Sequence, residues 1–165
     1  IPASARHGVP GADDDLIFAD ILGTVAPQAA RKSIRIVCEL DAAPDELVCD
    51  EEQLVQVFLN LLINPIQILP QGGEIIVRTF RDEQGLVVQF DDDGPGIPES
   101  ERHNVFHPFF TRREGGVGLG LTVVQQIVQT HSGDIRAEAS PSGGARFRLF
   151  FPQPLHVASE RGKRS

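Results

Sequence analysis

The sequence predicts an α/β fold: a two-layer sandwich in which one mixed, mostly antiparallel sheet carries about three helices on one face. Runs of alternating apolar residues occur in hairpin pairs, at 73–80 with 85–90 and at 134–140 with 145–151. Apolar residues at helical spacing fill three longer segments, 16–32, 51–69 and 120–131. Hairpins interspersed with three helices are typical of a sheet whose helices gather on one side.

The elements follow one another in a simple order. The first helix, over 16–32, contains Gly23 and Pro27, which predict a kink or an interruption. Two short apolar runs, 33–40 and 46–49, then predict strands.

The second helix has a clear beginning and end. Asp50 followed by Gln53 forms a capping-box signal, and the turn Gln71-Gly72-Gly73 ends the apolar pattern. A short helix is predicted over 98–106, after the first hairpin.

Size and composition predict one domain. The chain has 165 residues, of which 41% are hydrophobic, enough for one substantial core. We expect a linker or the remnant of an upstream domain at 1–15, the folded domain at 16–152, and a flexible tail at 153–165. The chain contains no methionine, so we expect a piece of a longer protein.

The net charge of -8 disfavours binding to nucleic acid or to an anionic membrane. No apolar run reaches membrane-spanning length and no signal peptide is visible, so we expect a cytoplasmic location, leaving open an anchor elsewhere in the full-length protein. Cys38 and Cys49 form no metal or redox motif and favour free thiols, with a disulfide as the alternative.

A stripe of neutral amides marks the second helix. Gln56, Asn60, Asn64 and Gln67 are spaced 4, 4 and 3 residues apart, so they share one helical face. Solvated faces usually carry Lys, Glu and Arg, so a row of amides indicates a partly buried surface that faces a polar group. A hydrogen-bonded core network is the structural alternative.

Two glycine-containing segments add further ligand signals. The strand at 85–90 leads into DDDGPGIP, where Gly94 and Gly96 let a ligand approach the backbone and Asp92 supplies an acceptor. Gly116, Gly118 and Gly120 stand before the last helix, whose unpaired N–H groups favour phosphate, with Arg112 and Arg113 just upstream. An acidic turn and a flexible loop are the ordinary alternatives.

The order of these motifs resembles a known family. An N-L-L-x-N helix precedes D-x-G-x-G, F-x-P-F-F-T and G-x-G-L-G-L. This order closely resembles the catalytic and ATP-binding domain of two-component sensor histidine kinases, in the GHKL superfamily of gyrase, heat-shock chaperone and mismatch-repair ATPases. The resemblance covers about residues 16–152. The short P-F-F-T lid resembles the nitrogen-regulation and C4-dicarboxylate sensor branch.

The resemblance implies ATP and Mg²⁺ as cofactors and assigns roles to individual residues. Asn64 would bind the Mg²⁺ that bridges the ATP phosphates, with Asn60 in the same catalytic site, and Asp92 would accept a hydrogen bond from the adenine amino group. Phe106, Phe109 and Phe110 would anchor the lid. The implied nucleotide-binding residues are Asp92, Gly94, Gly96, Phe110, Thr111, Arg112, Arg113, Gly116, Gly118, Leu119 and Gly120.

The resemblance also implies a reaction and two protein partners. The γ-phosphoryl group would pass to a histidine on a separate upstream helical domain and then to the receiver domain of a response regulator. Asn60 stands where the hydrolysing relatives place a glutamate base, so strong ATP hydrolysis is not expected. None of the five histidines has the expected phosphoacceptor setting, so the fragment alone should be inactive.

Pro65, directly after Asn64, motivates an alternative. Proline inside a helix removes a hydrogen bond and clashes with the carbonyl four residues earlier, so we predict a kink or an early helix end near 61–65. A displaced Asn64 would suit a degenerate nucleotide-binding or partner-docking module without kinase activity. A stand-alone serine kinase of the anti-sigma type is the third possibility, because it shares the fold and size.

Overall fold

The fold was analysed in a computed structural model that describes residues 3–7, 12–41, 50–108 and 120–152. Its strands are β1 (Ala3–His7), β2 (Arg35–Leu40), β3 (Glu74–Arg81), β4 (Gly85–Asp92), β5 (Asp134–Ala139) and β6 (Ala145–Pro152). Its α-helices are α1 (Ala12–Arg31), α2 (Glu51–Ile68) and α3 (Gly120–Thr130). Two 3₁₀ turns, Glu99–Glu101 and Asn104–Phe106, occupy the predicted short helix. None of the helices in these ranges is long and apolar enough to cross a membrane.

The strands form one six-stranded sheet in the order β1-β2-β3-β4-β6-β5. The first three strands are parallel and the remaining pairs are antiparallel. In the register, Cys38 lies beside Val77, Val77 beside Phe90, and Phe90 beside Phe147. The predicted α/β sandwich with a mixed sheet is therefore confirmed.

The core fills the space between the helices and one face of the sheet. Phe18 of α1 stacks on Phe58 of α2 with ring centroids 5.1 Å apart, and Phe58 lies 5.8 Å from Phe90 of β4. Cys38 is a free, buried thiol, and burial raises its pKa to about 12. The expected free thiol is confirmed for Cys38, whereas Cys49 lies outside the described residues.

The opposite face of the sheet carries a network of ion pairs. Asp91 accepts from Arg146 at both carboxylate oxygens, at 2.7 Å and 2.9 Å, and from Arg78 at 3.0 Å. Arg78 also reaches Glu39, 2.8 Å away on β2. The hydrogen bond to Asp91 raises the pKa of Arg146, so this guanidinium stays charged and links β6 to β4.

Two expectations about the first segment are wrong. Residues Ala3–His7, predicted as linker, form β1 beside β2, and α1 begins at Ala12. Strand pairing uses main-chain groups, so a segment without apolar alternation can still join an edge. Of the kink or interruption predicted at Gly23 and Pro27, the interruption is wrong: α1 continues through both residues, because Val25 and Ala29 on either side of the proline are fully buried and hold the helix in place.

Candidate functional site

One amide of the α2 stripe, Asn60, contacts the beginning of α3. Asp50 caps α2 by accepting from Gln53 N at 3.2 Å. Two turns later, Asn60 and Asn64 are half-buried, and Asn60 Nδ2 lies 3.4 Å from the carbonyl oxygen of Gly120, the first residue of α3. Asn60 thus borders the space between α2 and the N-terminus of α3, and Asn64 lies one helical turn farther along α2.

Pro65 does not end α2. The helix runs to Ile68, and the Pro65 carbonyl accepts from Leu69 N at 2.8 Å, so the predicted early end is wrong. Two features compensate for the proline. Its ring is buried, and the Lys32 ammonium donates to three carbonyls of the last turn, those of Ile66 (2.8 Å), Gln67 (3.0 Å) and Leu69 (3.1 Å). Asn64 therefore keeps its place in the helix.

The acidic run after β4 divides into three separate roles. Asp91 is buried in the ion pairs of the open sheet face. Asp93 accepts from Glu74 N at 2.9 Å and so fixes the start of β3. Asp92, between them, points to the opposite side of the sheet from Asp91 because successive strand residues alternate. Asp92 therefore lies on the helix side of β4, and its predicted role in binding the base stays a prediction.

The Asp92 carboxylate is held by main-chain donors. Its Oδ1 accepts from Gly94 N at 2.9 Å and from Ala145 N at 3.1 Å. Its carbonyl oxygen accepts from the hydroxyls of Ser140 (2.7 Å) and Ser142 (3.2 Å). The turn between β5 and β6 thus holds the Asp92 carbonyl, while Gly94 and the first residue of β6 hold its carboxylate.

Close backbone packing explains two glycines near Asp92. Gly96 has φ +76°, and a Cβ there would lie 2.8 Å from the Gly143 carbonyl oxygen. A Cβ at Gly144 would overlap the Asp92 carbonyl oxygen. Gly94 has a milder constraint, since its Cβ would lie 3.0 Å from the Leu69 side chain. The predicted glycines at 94 and 96 thus serve packing around Asp92, while Gly144 was not predicted from sequence.

The predicted lid is described only at its two ends. At the near end Phe106 is buried against Phe147, with ring centroids 6.2 Å apart, so this phenylalanine is a core residue. Its carbonyl accepts from Thr122 Oγ1 of α3 at 3.0 Å, and Gly120 at the far end is exposed. The remaining predicted lid residues lie outside the described ranges: Phe109, Phe110, Thr111, Arg112, Arg113, Gly116, Gly118 and Leu119.

His131 joins the two helices that border the site. At the end of α3, His131 Nδ1 donates to the Ile127 carbonyl at 2.8 Å, while Nε2 accepts from Asp50 N at 3.1 Å. These two bonds require the neutral ring with its proton on Nδ1. This contact spans 81 residues, so no periodic pattern in the sequence could predict it.

Comparison with known proteins identifies the family. Residues 49–155 match the model of the histidine kinase-, DNA gyrase B- and HSP90-like ATPases, a span that includes the amide stripe and Asp92. The chain belongs to this family. Among its curated relatives, the signal transduction histidine-protein kinase AtoS of Escherichia coli strain K12 is 35% identical over 137 residues, or 82% of this chain and 22% of AtoS.

Other relatives agree in sequence and fold. The sensory histidine kinase/phosphatase NtrB of Escherichia coli O157:H7 is 33% identical over 145 residues, or 81% of this chain and 41% of NtrB. The solved catalytic domain of the histidine kinase ThkA is 26% identical, with a TM-score of 0.76 over 86% of this chain and 93% of that domain. ThkA has also been solved in complex with a response regulator protein, TrrA. The chain spans 22% of AtoS and 41% of NtrB, a minority of each full-length relative.

Proposed function

We propose that this histidine kinase-, DNA gyrase B- and HSP90-like ATPase domain is the ATP-binding catalytic domain of a sensor histidine kinase. It would transfer the γ-phosphoryl group of ATP to a histidine on a separate helical domain. The observation that supports the proposal is the contact of Asn60 with the start of α3, with Asn64 one turn farther along α2 and Asp92 held on β4 by main-chain donors.

Base recognition is assigned to Asp92. Two main-chain N–H groups hold its carboxylate, so it can present a fixed acceptor to the amino group of adenine. A 6-oxo purine would present an acceptor to the same carboxylate, and two acceptors repel each other. Asp92 would therefore select adenine over guanine.

Phosphate and Mg²⁺ binding are assigned to α2 and to the glycine-rich segment before α3. The half-buried side-chain amides of Asn60 and Asn64 on α2 can offer oxygen ligands to a metal ion. This fits Mg²⁺, which is commonly held by few protein ligands together with substrate phosphates. Asn64 would be the ligand, and the bound ion would neutralise phosphate charge. Arg112, Arg113, Gly116, Gly118 and Gly120 would contact the phosphates.

The chemistry of Asn60 supports transfer over hydrolysis. An amide cannot take a proton from water as a carboxylate can, and Asn60 instead points its amide nitrogen at the Gly120 carbonyl. Phosphoryl transfer depends mainly on positioning and charge neutralisation, which this arrangement supplies. The attacking nitrogen would come from the phosphoacceptor helices, and the phosphoryl group would then pass to a receiver domain.

Calorimetric titration tests the nucleotide site. We expect the chain to bind Mg-ADP and to bind guanosine diphosphate at least tenfold more weakly, about 1.4 kcal/mol. Asp92→Asn should abolish this preference, and Asn64→Ala should abolish the gain in affinity that Mg²⁺ gives. Gln56→Ala, on the exposed end of the same stripe, is the matched control and should bind like the unaltered chain. Equal affinity for the two bases contradicts the assignment of Asp92.

Phosphoryl transfer is tested separately with radiolabelled ATP. The chain alone should incorporate no label, whereas a separately supplied phosphoacceptor helix pair from a close relative should become labelled in an acid-labile form. Asn64→Ala should prevent this labelling. Acid-stable label on this chain alone would instead support the serine kinase alternative.

A further inference from the structure

The turn between β5 and β6, Ser140–Gly144, is built around Asp92. Ser140 N donates to the Gly144 carbonyl at 2.9 Å and Gly143 N donates to the Ser140 carbonyl at 3.0 Å, so the turn closes on itself. Gly143 has φ +89°, which suits glycine. This closed turn then contacts Asp92, which lies 48 residues earlier than Ser140.

The turn packs closely against Asp92. A Cβ on Gly144 would overlap the Asp92 carbonyl oxygen and lie 2.7 Å from Asp92 Oδ1. The Ser140 hydroxyl, which is buried, donates to the Asp92 carbonyl at 2.7 Å and also lies 3.0 Å from the Ser142 hydroxyl. Ala145 N, the next residue after the turn, donates to Oδ1 at 3.1 Å. The turn therefore holds the Asp92 main chain, and the first residue after it contacts the Asp92 carboxylate.

We propose that this turn, through the buried hydroxyl of Ser140, is a positioning element that determines how strictly Asp92 discriminates between purine bases. The inference rests on the proposed nucleotide site. A carboxylate that cannot move must face the 6-oxo group of a wrong base directly, and an unsatisfied acceptor pair weakens binding strongly. If the Asp92 main chain could shift, the carboxylate could turn away and water could enter. Discrimination would then fall more than affinity for adenine.

Ser140→Ala is the test variant, because Gly144→Ala would drive a Cβ into the Asp92 main chain and disturb the fold. Titrations with ADP and with inosine diphosphate, which carries a 6-oxo group, give a selectivity ratio. We expect Ser140→Ala to reduce this ratio by about five- to tenfold, the value of roughly one hydrogen bond. Ser140→Thr keeps the hydroxyl and should retain the ratio.

Ser100→Ala is the matched control, since Ser100 is an exposed serine in the 3₁₀ turn Glu99–Glu101 and lies outside the turn between β5 and β6. It should change the ratio less than about twofold. Circular dichroism confirms that each variant is folded. If Ser140→Ala weakens ADP and inosine diphosphate equally, or leaves both unchanged, the turn is merely structural and the inference is overturned. If the unaltered chain binds neither nucleotide, the proposed function itself fails.

Discussion

Replacement of Pro65 by alanine tests how α2 accommodates a proline beside Asn64. Alanine would supply an N–H to the Leu61 carbonyl and remove the clash of the ring with it. In a helix interior proline is about 3 kcal/mol less favourable than alanine. The Pro65→Ala change therefore gains up to this amount in the free energy of unfolding from the helix backbone alone.

Burial of the ring opposes that gain. Pro65 is buried, so Pro65→Ala removes two methylenes from the interior, at about 0.8 kcal/mol each, and leaves a small void. The net gain is therefore about 1 kcal/mol in the free energy of unfolding, and the thermal midpoint should rise by about 2–4 °C. Since α2 already runs past Asn64, Mg-ADP affinity should change by less than about twofold.

Pro27→Ala in α1 provides the matched control. Pro27 also lies inside a helix but is exposed, so its replacement has no burial term and should yield nearly the full gain of about 3 kcal/mol. Thermal unfolding followed by circular dichroism should place the midpoints in the order Pro27→Ala, Pro65→Ala, unaltered chain. A midpoint for Pro65→Ala below that of the unaltered chain would refute the reasoning, because the protein would then be built around the ring.

Three further predictions concern contacts away from Pro65. Lys32→Met should lower the free energy of unfolding by about 2 kcal/mol in denaturant titration, because three carbonyls of α2 lose a charged donor, whereas exposed Arg31→Met should change it by under about 0.5 kcal/mol. In a Cys49→Ser background, Cys38 should resist a thiol reagent at pH 8 until denaturant is added, since burial raises its pKa to about 12; rapid reaction of the folded chain would contradict this. His131→Leu should lower the free energy of unfolding by about 1 kcal/mol, and no loss would show that its bond to the start of α2 is unimportant.

Patterns with a local cause could be predicted from the sequence. The alternation of apolar residues in β3 and β4 gave the hairpin, and Asp50 gave the start of α2, because each depends on neighbours within a few residues. The amide stripe and the D-x-G-x-G segment were likewise recognisable as local patterns, and their role in ligand binding stays a prediction.

Contacts between distant residues could not be predicted in the same way. Lys32 contacts α2 across 34 residues of sequence, and Ser140 contacts Asp92 across 48. Neither contact produces a periodic pattern in the sequence. For the same reason a kink or an early end of α2 was expected near residues 61–65. Lys32, which follows α1, donates to the last carbonyls of α2 and so compensates for Pro65. The helix propensity of proline alone contains no information about such a distant partner.

The sheet order has a kinetic consequence for the proposed site. The β3–β4 and β5–β6 hairpins close over short turns. By contrast, α2 lies between the parallel strands β2 and β3 along the chain, and the segment between β4 and β6 contains α3 and β5. Loop closure delays such pairings, so we expect the hairpins to form early and the contact between Ser140 and Asp92 to form late. Nucleotide binding that requires both Ser140 and Asp92 in place would then be absent from the folding transition state. Bound ADP should therefore slow unfolding and leave the refolding rate unchanged, which stopped-flow measurements with and without ADP would show.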